Sequence, residues 1–448
     1  MTSFVVHPQP ADRPLAGHLT VPGDKSVGHR GLLFSLLSET PVRVLGLGGG
    51  ADNGRSARAI GQLGATVARD GDAVVITGTG LAGMRAPTAA IDCGNSGTTI
   101  RLLCGLLAAQ RFATTLIGDE SLSRRPMRRV IEPLATMGAA ITGQGHGADL
   151  VPPLVVGPAP GPLRGITYAL PVSSAQVKTA LLLAGLWAEG VTRLTEPGPS
   201  RDHTERLLAA MGAPLTVDGR TVTIDPTGWD RRLAIDTIDV PGDPSSAAFL
   251  VAAALVAGAT EVRCDQVCVN PTRTGLLDVV AAMGATVAVE DRVVRGGEPV
   301  ASLVIRRGGG DGLRGVEIAG DVVVRAIDEI PVLSVLAARA EGVTVVRDAE
   351  ELRVKESDRI ATTAAMLRGF GVEVEERPDG LTVAGRGAAP LRAAHVDAAG
   401  DHRIAMAATV AALAADGPSR IDDVDNVATS FPRFVEIMRG LGARIDVA

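Results

Sequence analysis

Aromatic side chains make up only 2% of this 448-residue chain, and lysine occurs just three times among 44 basic residues. So few aromatics leave few platforms for stacking bases. A formal net charge of −6 gives no broad positive field either, so nucleic acid is not the expected partner. Cysteine is scarce too, limited to Cys93, Cys104, Cys264 and Cys268. "CDQVC" is a lone pair with no second Cys or His pair at zinc-ligand spacing, so no metal is expected, and four thiols over this length fit buried free cysteines in a reducing compartment. Long apolar runs are missing. The longest, "AAFLVAAALVAGA", has 13 residues, which is short of a membrane span and suits a buried helix. The opening "MTSFVVHPQPADRPLAGHL" lacks a basic segment followed by a continuous apolar one, so no signal peptide is read and a cytoplasmic location is expected.

Apolar residues amount to 46% and charged residues to 21%, a globular balance at a length that calls for two or more domains. A phrase recurs six times: an apolar segment, a glycine, then an alternating run. The copies include "LLAAMGAPLTVDGRTVTI", "VVAAMGATVAVEDRVV" and "IMRGLGARIDVA". Their glycines, Gly64, Gly138, Gly212, Gly284, Gly371 and Gly442, are separated by 74, 74, 72, 87 and 71 residues. Each copy reads as a helix end, a glycine cap and a strand of period two, and such regular self-similarity marks a repeat architecture.

A second series alternates with the first. "PGDKSVGHRGLLFSLL", "DCGNSGTTIRLLCGLLAA", "PVSSAQVKTALLLAGL", "PGDPSSAAFLVAAALV", "IDEIPVLSVLAARA" and "AGDHRIAMAATVAALAA" each place a polar turn before a helix that is apolar nearly all round. Such a helix is buried on every face, and its Ser, Asp or Pro start is a capping signal. Six repeats split as three plus three, with the break near "IDTIDVPGDPSSAAF". If three buried helices point one way, their N-termini gather at one end of a domain and attract anions. Two such ends facing each other would line a cationic cleft.

Lysine is a compact charge with a movable pKa, whereas arginine is a fixed fork that does not give up its proton. A chain that writes almost every cation as arginine is expected to keep lysine where that difference matters. Lys25 stands with Ser26 and Arg30 in "PGDKSVGHR", a helix start with anion-binding character but without Walker spacing. Lys178 lies deeper in its helix and reads as structural. Lys355, Glu356 and Arg359 in "ELRVKESDRI" fit one helical turn with Lys355 and Arg359 on one face. "GNSGTTIR" offers close backbone approach at Gly97, with Asn95 and Thr98 beside it. In "SRRPMRR", Arg125 precedes a proline that restricts and can aim it. Ser174 and Gln176 open another buried helix, Arg201 precedes an expected Asp202/Glu205 capping box, and Arg403 opens the last buried helix. Asp328 and Glu329 stand ahead of a buried helix, where capping is the default role and an acid among cations also suits a base.

Taken in order, "PGDKSVGHR", "GNSGTTIR", "RRPM", "SSAQVK", "RDHTE", "ELRVKESDRI", "DHRIAMA" and "TSFPRF" closely resemble the motifs of the EPSP synthases, over essentially the whole chain. The resemblance implies an α/β enolpyruvyl transferase fold, an inside-out barrel of two domains. Each domain has three βαβαββ-type units around buried parallel helices. The implied domains are 1–22 with 241–448, and an inserted 23–240. The implied reaction transfers the enolpyruvyl group of phosphoenolpyruvate to the 5-hydroxyl of shikimate 3-phosphate and releases phosphate. It implies no metal, nucleotide or redox cofactor, and a cytoplasmic monomer with neither nucleic acid nor membrane as partner. By motif, Lys25, Ser26, Arg30, Ser174, Gln176, Arg201, Asp328 and Lys355 are implied for shikimate 3-phosphate. Lys25, Gly97, Arg125, Gln176, Arg359 and Arg403 are implied for phosphoenolpyruvate. Asp328 is implied as base toward the hydroxyl, and Glu356 as proton donor to the methylene with Lys355 and Lys25 beside it.

Two departures from the family pattern stand out. Thr429 occupies the place of a lysine found in part of the family, and Ala175 replaces a serine found in some members. Gly97 is the small residue usual in glyphosate-sensitive members. The sister transferase acting on UDP-N-acetylglucosamine usually carries a reactive cysteine on a mobile loop, and "GDESLSRRPMRR" has none. A non-catalytic phospho-ligand binding protein on the same repeats would not need acids Asp328 and Glu356 beside its cations.

Overall fold

All six repeat glycines have left-handed backbone, with φ of 111° at Gly64, 102° at Gly138, 89° at Gly212, 87° at Gly284, 74° at Gly371 and 104° at Gly442. Each ends a helix with the same double closure. In the first, the Ala65 N–H donates to the Ile60 carbonyl (3.0 Å) and the Gly64 N–H to the Gly61 carbonyl (3.2 Å). The bond spanning five residues recurs from Ala139 to Leu134, Ala213 to Leu208, Ala285 to Val280, Val372 to Leu367 and Ala443 to Met438. An L side chain is disfavoured at such a φ, so a local backbone requirement explains why the sequence repeats a glycine there.

In this computed structural model, which describes residues 2–448, the chain divides into two units. One comprises Met1–Asp24, Pro241–Val294 and Pro299–Ala448; the other comprises Lys25–Val240 and Arg295–Glu298. In chain order the first unit flanks the second, so the first is the outer unit and the second the inserted unit. Each holds three four-stranded sheets of one plan, with a parallel first pair and an antiparallel second pair. In one sheet of the inserted unit the order is Thr237–Asp239, Val42–Leu45, Ala73–Thr77, Thr66–Asp70, so the strand at the end of the unit returns to its beginning. The outer unit closes the same way across a longer chain distance. Ser3–Val6 lies between Ser419–Asp422 and Ile445–Val447, and Leu15–Thr20 runs parallel to Ala259–Cys268.

Inside each unit lie its buried helices: Lys25–Ser35, Gly97–Leu107 and Ala175–Gly185 in the inserted unit, and Pro244–Ala257, Ile330–Ala338 and His402–Leu413 in the outer unit. Leu32, Leu33, Leu102, Leu103, Leu106, Leu181, Leu182 and Leu183 are fully buried, each contributing ~1.5–3 kcal/mol relative to exposure. Close approach has its own requirement. A Cβ on Gly105 would stand 2.2 Å from the Ala180 carbonyl oxygen, so only glycine lets these two helices touch there. All four cysteines are buried thiols, as expected, and burial pushes those of Cys104 and Cys264 up to about 12, which keeps them inert. Among the described residues no helix is long and apolar enough to cross a membrane.

Candidate active site

In the inserted unit, hydrogen bonds draw the starts of the three buried helices together. Arg30 is almost wholly buried in the Lys25 helix. Its Nε donates to Thr204 Oγ1 (2.7 Å), its Nη2 to Thr179 Oγ1 (2.9 Å) and its Nη1 to the Ser26 carbonyl (3.0 Å). Arg201 Nη1 donates to Ser26 Oγ at 2.9 Å. Gln176, in the Ala175 helix, accepts from Arg101 Nη1 (2.7 Å) and donates to Thr98 Oγ1 (2.9 Å), which joins that helix to the Gly97 helix. Ser96 and Ser174 cap their helices, accepting from the Thr99 and Val177 amides. Lys25 Nζ is 3.0 Å from Asp52 Oδ2. Arg125 is extended (φ −79°, ψ 138°), as a residue before proline should be, and its Nη2 reaches Asn95 Oδ1 at 3.0 Å. A Cβ on Gly97 would stand 2.8 Å from Arg101 Nη1 and 3.1 Å from Arg125 Nη1, so the bare glycine makes room for two guanidiniums. Converging helix N-termini with hydroxyls and cations suit a phosphorylated ligand.

The outer unit gathers a different set. Arg359 is buried and donates to three carboxylates: Asp401 Oδ2 from Nε (2.8 Å), Asp328 Oδ1 from Nη1 (3.2 Å) and Glu356 Oε2 from Nη2 (2.5 Å). Arg403 Nη1 donates to the Asp328 carbonyl at 3.0 Å, and its Nη2 is 3.7 Å from Asp328 Oδ2. Asp401 is sealed. Its Oδ1 caps the last buried helix at the Arg403 amide (2.9 Å) while its Oδ2 holds Arg359, so one carboxylate ties the Arg359 guanidinium to the backbone of Arg403. Burial, the largest single influence, would raise the Asp401 carboxyl, but the charge and hydrogen bond of Arg359 together with His402 hold the group below its ordinary value. Asp328 and Glu356 differ from Asp401 in access: their side chains are 15% and 14% exposed, against 0% for Asp401. Burial pulls the Lys355 ammonium below its ordinary value, with Asp328 and Glu351 opposing the shift. Its Nζ is 3.9 Å from Glu351 Oε1.

Three local expectations are corrected. Lys355, Glu356 and Arg359 do not share a helical turn. A 3-10 turn spans Glu350–Val354, Lys355 is extended, and the helix begins at Arg359 behind Asp358, whose Oδ1 accepts from the Ala361 amide (3.1 Å). That cap breaks the periodicity. Asp202 and Glu205 form no capping box. Asp202 takes Arg206 Nε (2.8 Å), and Glu205 turns inward to Lys178 Nζ (2.6 Å). Glu329, in turn, stands at the cap of its helix without capping it, and instead accepts from the Ser245 hydroxyl. Lys178, which also holds Glu196 at 2.6 Å, is enclosed. Burial pushes the Glu205 carboxyl up, with Lys178 acting against it.

Asp401, Arg101 and Asp52 were not singled out from the sequence. Arg101 ends the motif "GNSGTTIR" and Asp401 begins "DHRIAMA", whereas nothing around Asp52 distinguishes it from an ordinary helix-start acid. As for metals, Asp202, His203 and Glu298 bring donor atoms within 4.8 Å of one another. Arg206 already answers that charge, at 2.8 Å from Asp202 and 4.0 Å from Glu298.

The family model described as EPSP synthase (3-phosphoshikimate 1-carboxyvinyltransferase) matches residues 10–438. The chain belongs to the EPSP synthase family. A 3-phosphoshikimate 1-carboxyvinyltransferase of Geobacter sulfurreducens is 49% identical over 444 residues, covering 99% of this chain and 100% of the relative. One from Alkalilimnicola ehrlichii is 50% identical over 435 residues, covering 96% and 94%. The solved EPSP synthase of Acinetobacter baumannii superposes with a TM-score of 0.86 at 40% identity, covering all of both chains. The fold is therefore the mixed α/β enolpyruvyl transferase fold of that family. Against the family pattern, the Thr429 hydroxyl turns back onto the Asn426 carbonyl at 2.7 Å and supplies no cation. Ala175 opens its helix directly after the capping Ser174.

Proposed function

We propose that this protein transfers the enolpyruvyl group of phosphoenolpyruvate to the 5-hydroxyl of shikimate 3-phosphate, releasing phosphate, as a step toward chorismate and the aromatic amino acids. Membership of the EPSP synthase family supports the reading. The observation that carries it is the Arg359 cluster, where two partly exposed acids share one guanidinium beside a lysine of lowered basicity. Phosphate binding alone would need cations only, whereas addition and elimination need a proton donor and a proton acceptor.

In the first step Glu356 protonates the methylene carbon of phosphoenolpyruvate, which leaves C2 electron-poor. The 5-hydroxyl adds to C2 and its proton passes to Asp328, giving a tetrahedral ketal. Elimination then breaks the bond from C2 to the phosphate oxygen, and the methyl group returns a proton as the double bond re-forms. Arg125, Arg359, Arg403 and Lys25 hold the phosphate and carboxylate of phosphoenolpyruvate, with Gly97 and Gln176 against it. Ser26, Arg30, Ser174, Gln176 and Arg201 hold shikimate 3-phosphate, with Lys25, Lys355 and Asp328 at its reacting hydroxyl. These contacts are strong where water is excluded. No metal or redox group enters any of these steps. The same reading makes the protein a cytoplasmic monomer whose partners are its two small substrates.

The test is phosphate release. It should require shikimate 3-phosphate and phosphoenolpyruvate together, and glyphosate should compete with phosphoenolpyruvate. Phosphate released from phosphoenolpyruvate alone, or none released with both present, overturns the reading.

A further inference from the structure

Arg273 lies outside the turn-helix motifs, in "VNPTRTG", just past the strand Ala259–Cys268. It ends a 3-10 turn, Pro271–Arg273, that Asn270 caps by accepting from the Thr272 amide. Its side chain is buried, 2% exposed, in the outer unit. Nη1 is 2.7 Å from Asp24 Oδ2, and Nη2 is 3.2 Å from Asp243 Oδ1 and 3.0 Å from Ser245 Oγ. Asp24 and Asp243 are themselves buried.

Their position in the chain gives these contacts their meaning. Asp24 is the last residue of the outer unit before Lys25, and Pro241 is the first residue after the inserted unit. These two ends are paired with each other. The Asp24 amide donates to the Pro241 carbonyl (2.7 Å), the Asp243 amide to the Pro22 carbonyl (2.8 Å), and Gly23 bridges Gly242. One guanidinium thus clamps the departing and the returning segment by their side chains, beneath a backbone ladder that already joins them. On its other side, Ser245 passes the contact on to Glu329, which adjoins Asp328 in the chain. Burial works against the Arg273 charge, but Asp24, Asp243 and Glu329 more than offset it, so the guanidinium stays charged.

We propose that Arg273 is a positioning residue for this reaction: it holds Asp24, and so the backbone from which Lys25 projects, and through Ser245 and Glu329 it holds the backbone of Asp328. It touches neither substrate. The planar fork is what the task requires, because three acceptors must be met in fixed directions at once. A lysine there would keep the charge and lose the geometry. The inference rests on the reading of function above, and the test keeps the two apart.

The experiment compares wild type with Arg273→Lys, Asp24→Asn and Ser245→Ala. Each is assayed for kcat, for both KM values, for thermal unfolding and for shikimate 3-phosphate binding by calorimetry. Arg273→Lys is expected to lower kcat ten- to a hundredfold while the protein still unfolds cooperatively. Asp24→Asn, on the Lys25 side, is expected to raise KM for phosphoenolpyruvate and weaken shikimate 3-phosphate binding. Ser245→Ala, on the Asp328 side, is expected to lower kcat with binding unchanged and to shift the acidic limb of the kcat pH profile. A merely structural role would lower the unfolding temperature of all three without separating kcat from KM. Folded variants with wild-type kcat, KM and pH profile overturn the proposal. Should Arg273→Lys fail to fold, the opposite signatures of Asp24→Asn and Ser245→Ala decide alone, and their absence overturns it equally. A wild type without turnover would instead overturn the reading of function.

Discussion

Two buried cations, one in each unit, are surrounded by carboxylates and come to different ends. Lys178 in the inserted unit holds Glu196 and Glu205, with side-chain exposures of 2%, 6% and 6%. Arg359 in the outer unit holds Asp328, Glu356 and Asp401, and two of those acids reach the surface. The ingredients are alike, but the access differs. A sealed acid can only orient its partners, while a partly exposed acid can also exchange a proton with a ligand. The cations differ too. The arginine fork meets three acceptors in separate directions, and the lysine is a point charge between two. Burial pushes the acid Glu205 up in one cluster, whereas in the other Arg359 and His402 together offset burial and hold Asp401 below its ordinary value.

The sharpest way to break this contrast is to neutralise the accessible acids. Asp328→Ala and Glu356→Ala should each lower kcat roughly 10²–10⁴-fold while shikimate 3-phosphate still binds, as followed by calorimetry. Wild-type rates in either variant would remove that proton-transfer role. Lys178→Met should do the reverse. Leaving Glu196 and Glu205 without their buried partner should cost about 3–5 kcal/mol of stability, read from denaturant midpoints, with kcat of the folded fraction near wild type.

A smaller effect is expected at Gly97. The methyl of Gly97→Ala would press on Arg101 and Arg125, so KM for phosphoenolpyruvate should rise about tenfold, near 1.4 kcal/mol, with less change for shikimate 3-phosphate. Equal rises for both substrates would show that the guanidiniums do not divide the labour in this way.

The smallest effects lie in the pH dependence of stability, and their signs oppose. Asp401 titrates below its ordinary value in the folded protein. Its stabilising contribution is full above the unfolded value and is lost as pH falls through the folded one. Glu205 titrates above its ordinary value, so its contribution is present in acid and is lost as pH rises through the folded value. Asp401→Asn should therefore lose stability relative to wild type at neutral pH, with the gap closing in acid. Glu205→Gln should gain on wild type as pH rises. Parallel curves from urea unfolding at several pH values would erase the distinction between the clusters.

Much of this protein is legible in its sequence. The six glycines announced their caps because a left-handed C-cap is a demand of the backbone itself, made within a few residues. Arg125 was readable for the same reason, since the proline that follows restricts it. The pair Asp202 and Glu205 was misread because capping spacing is shared by any acid that a tertiary partner pulls away, and Lys178 does so here. Asp52 and Arg273 were invisible because their partners lie 27 and 249 residues away. Nothing local distinguishes an arginine in "NPTRTG" from one on a solvated turn.

By itself, then, the order of residues determined the repeat count, the helix ends, the buried helices and the family, because periodicity, caps and motifs are written over short spans. Only the tertiary structure decided which charges became tools and which became struts. That choice depends on burial and on the direction of partners brought together from remote parts of the chain, and neither property belongs to any segment alone.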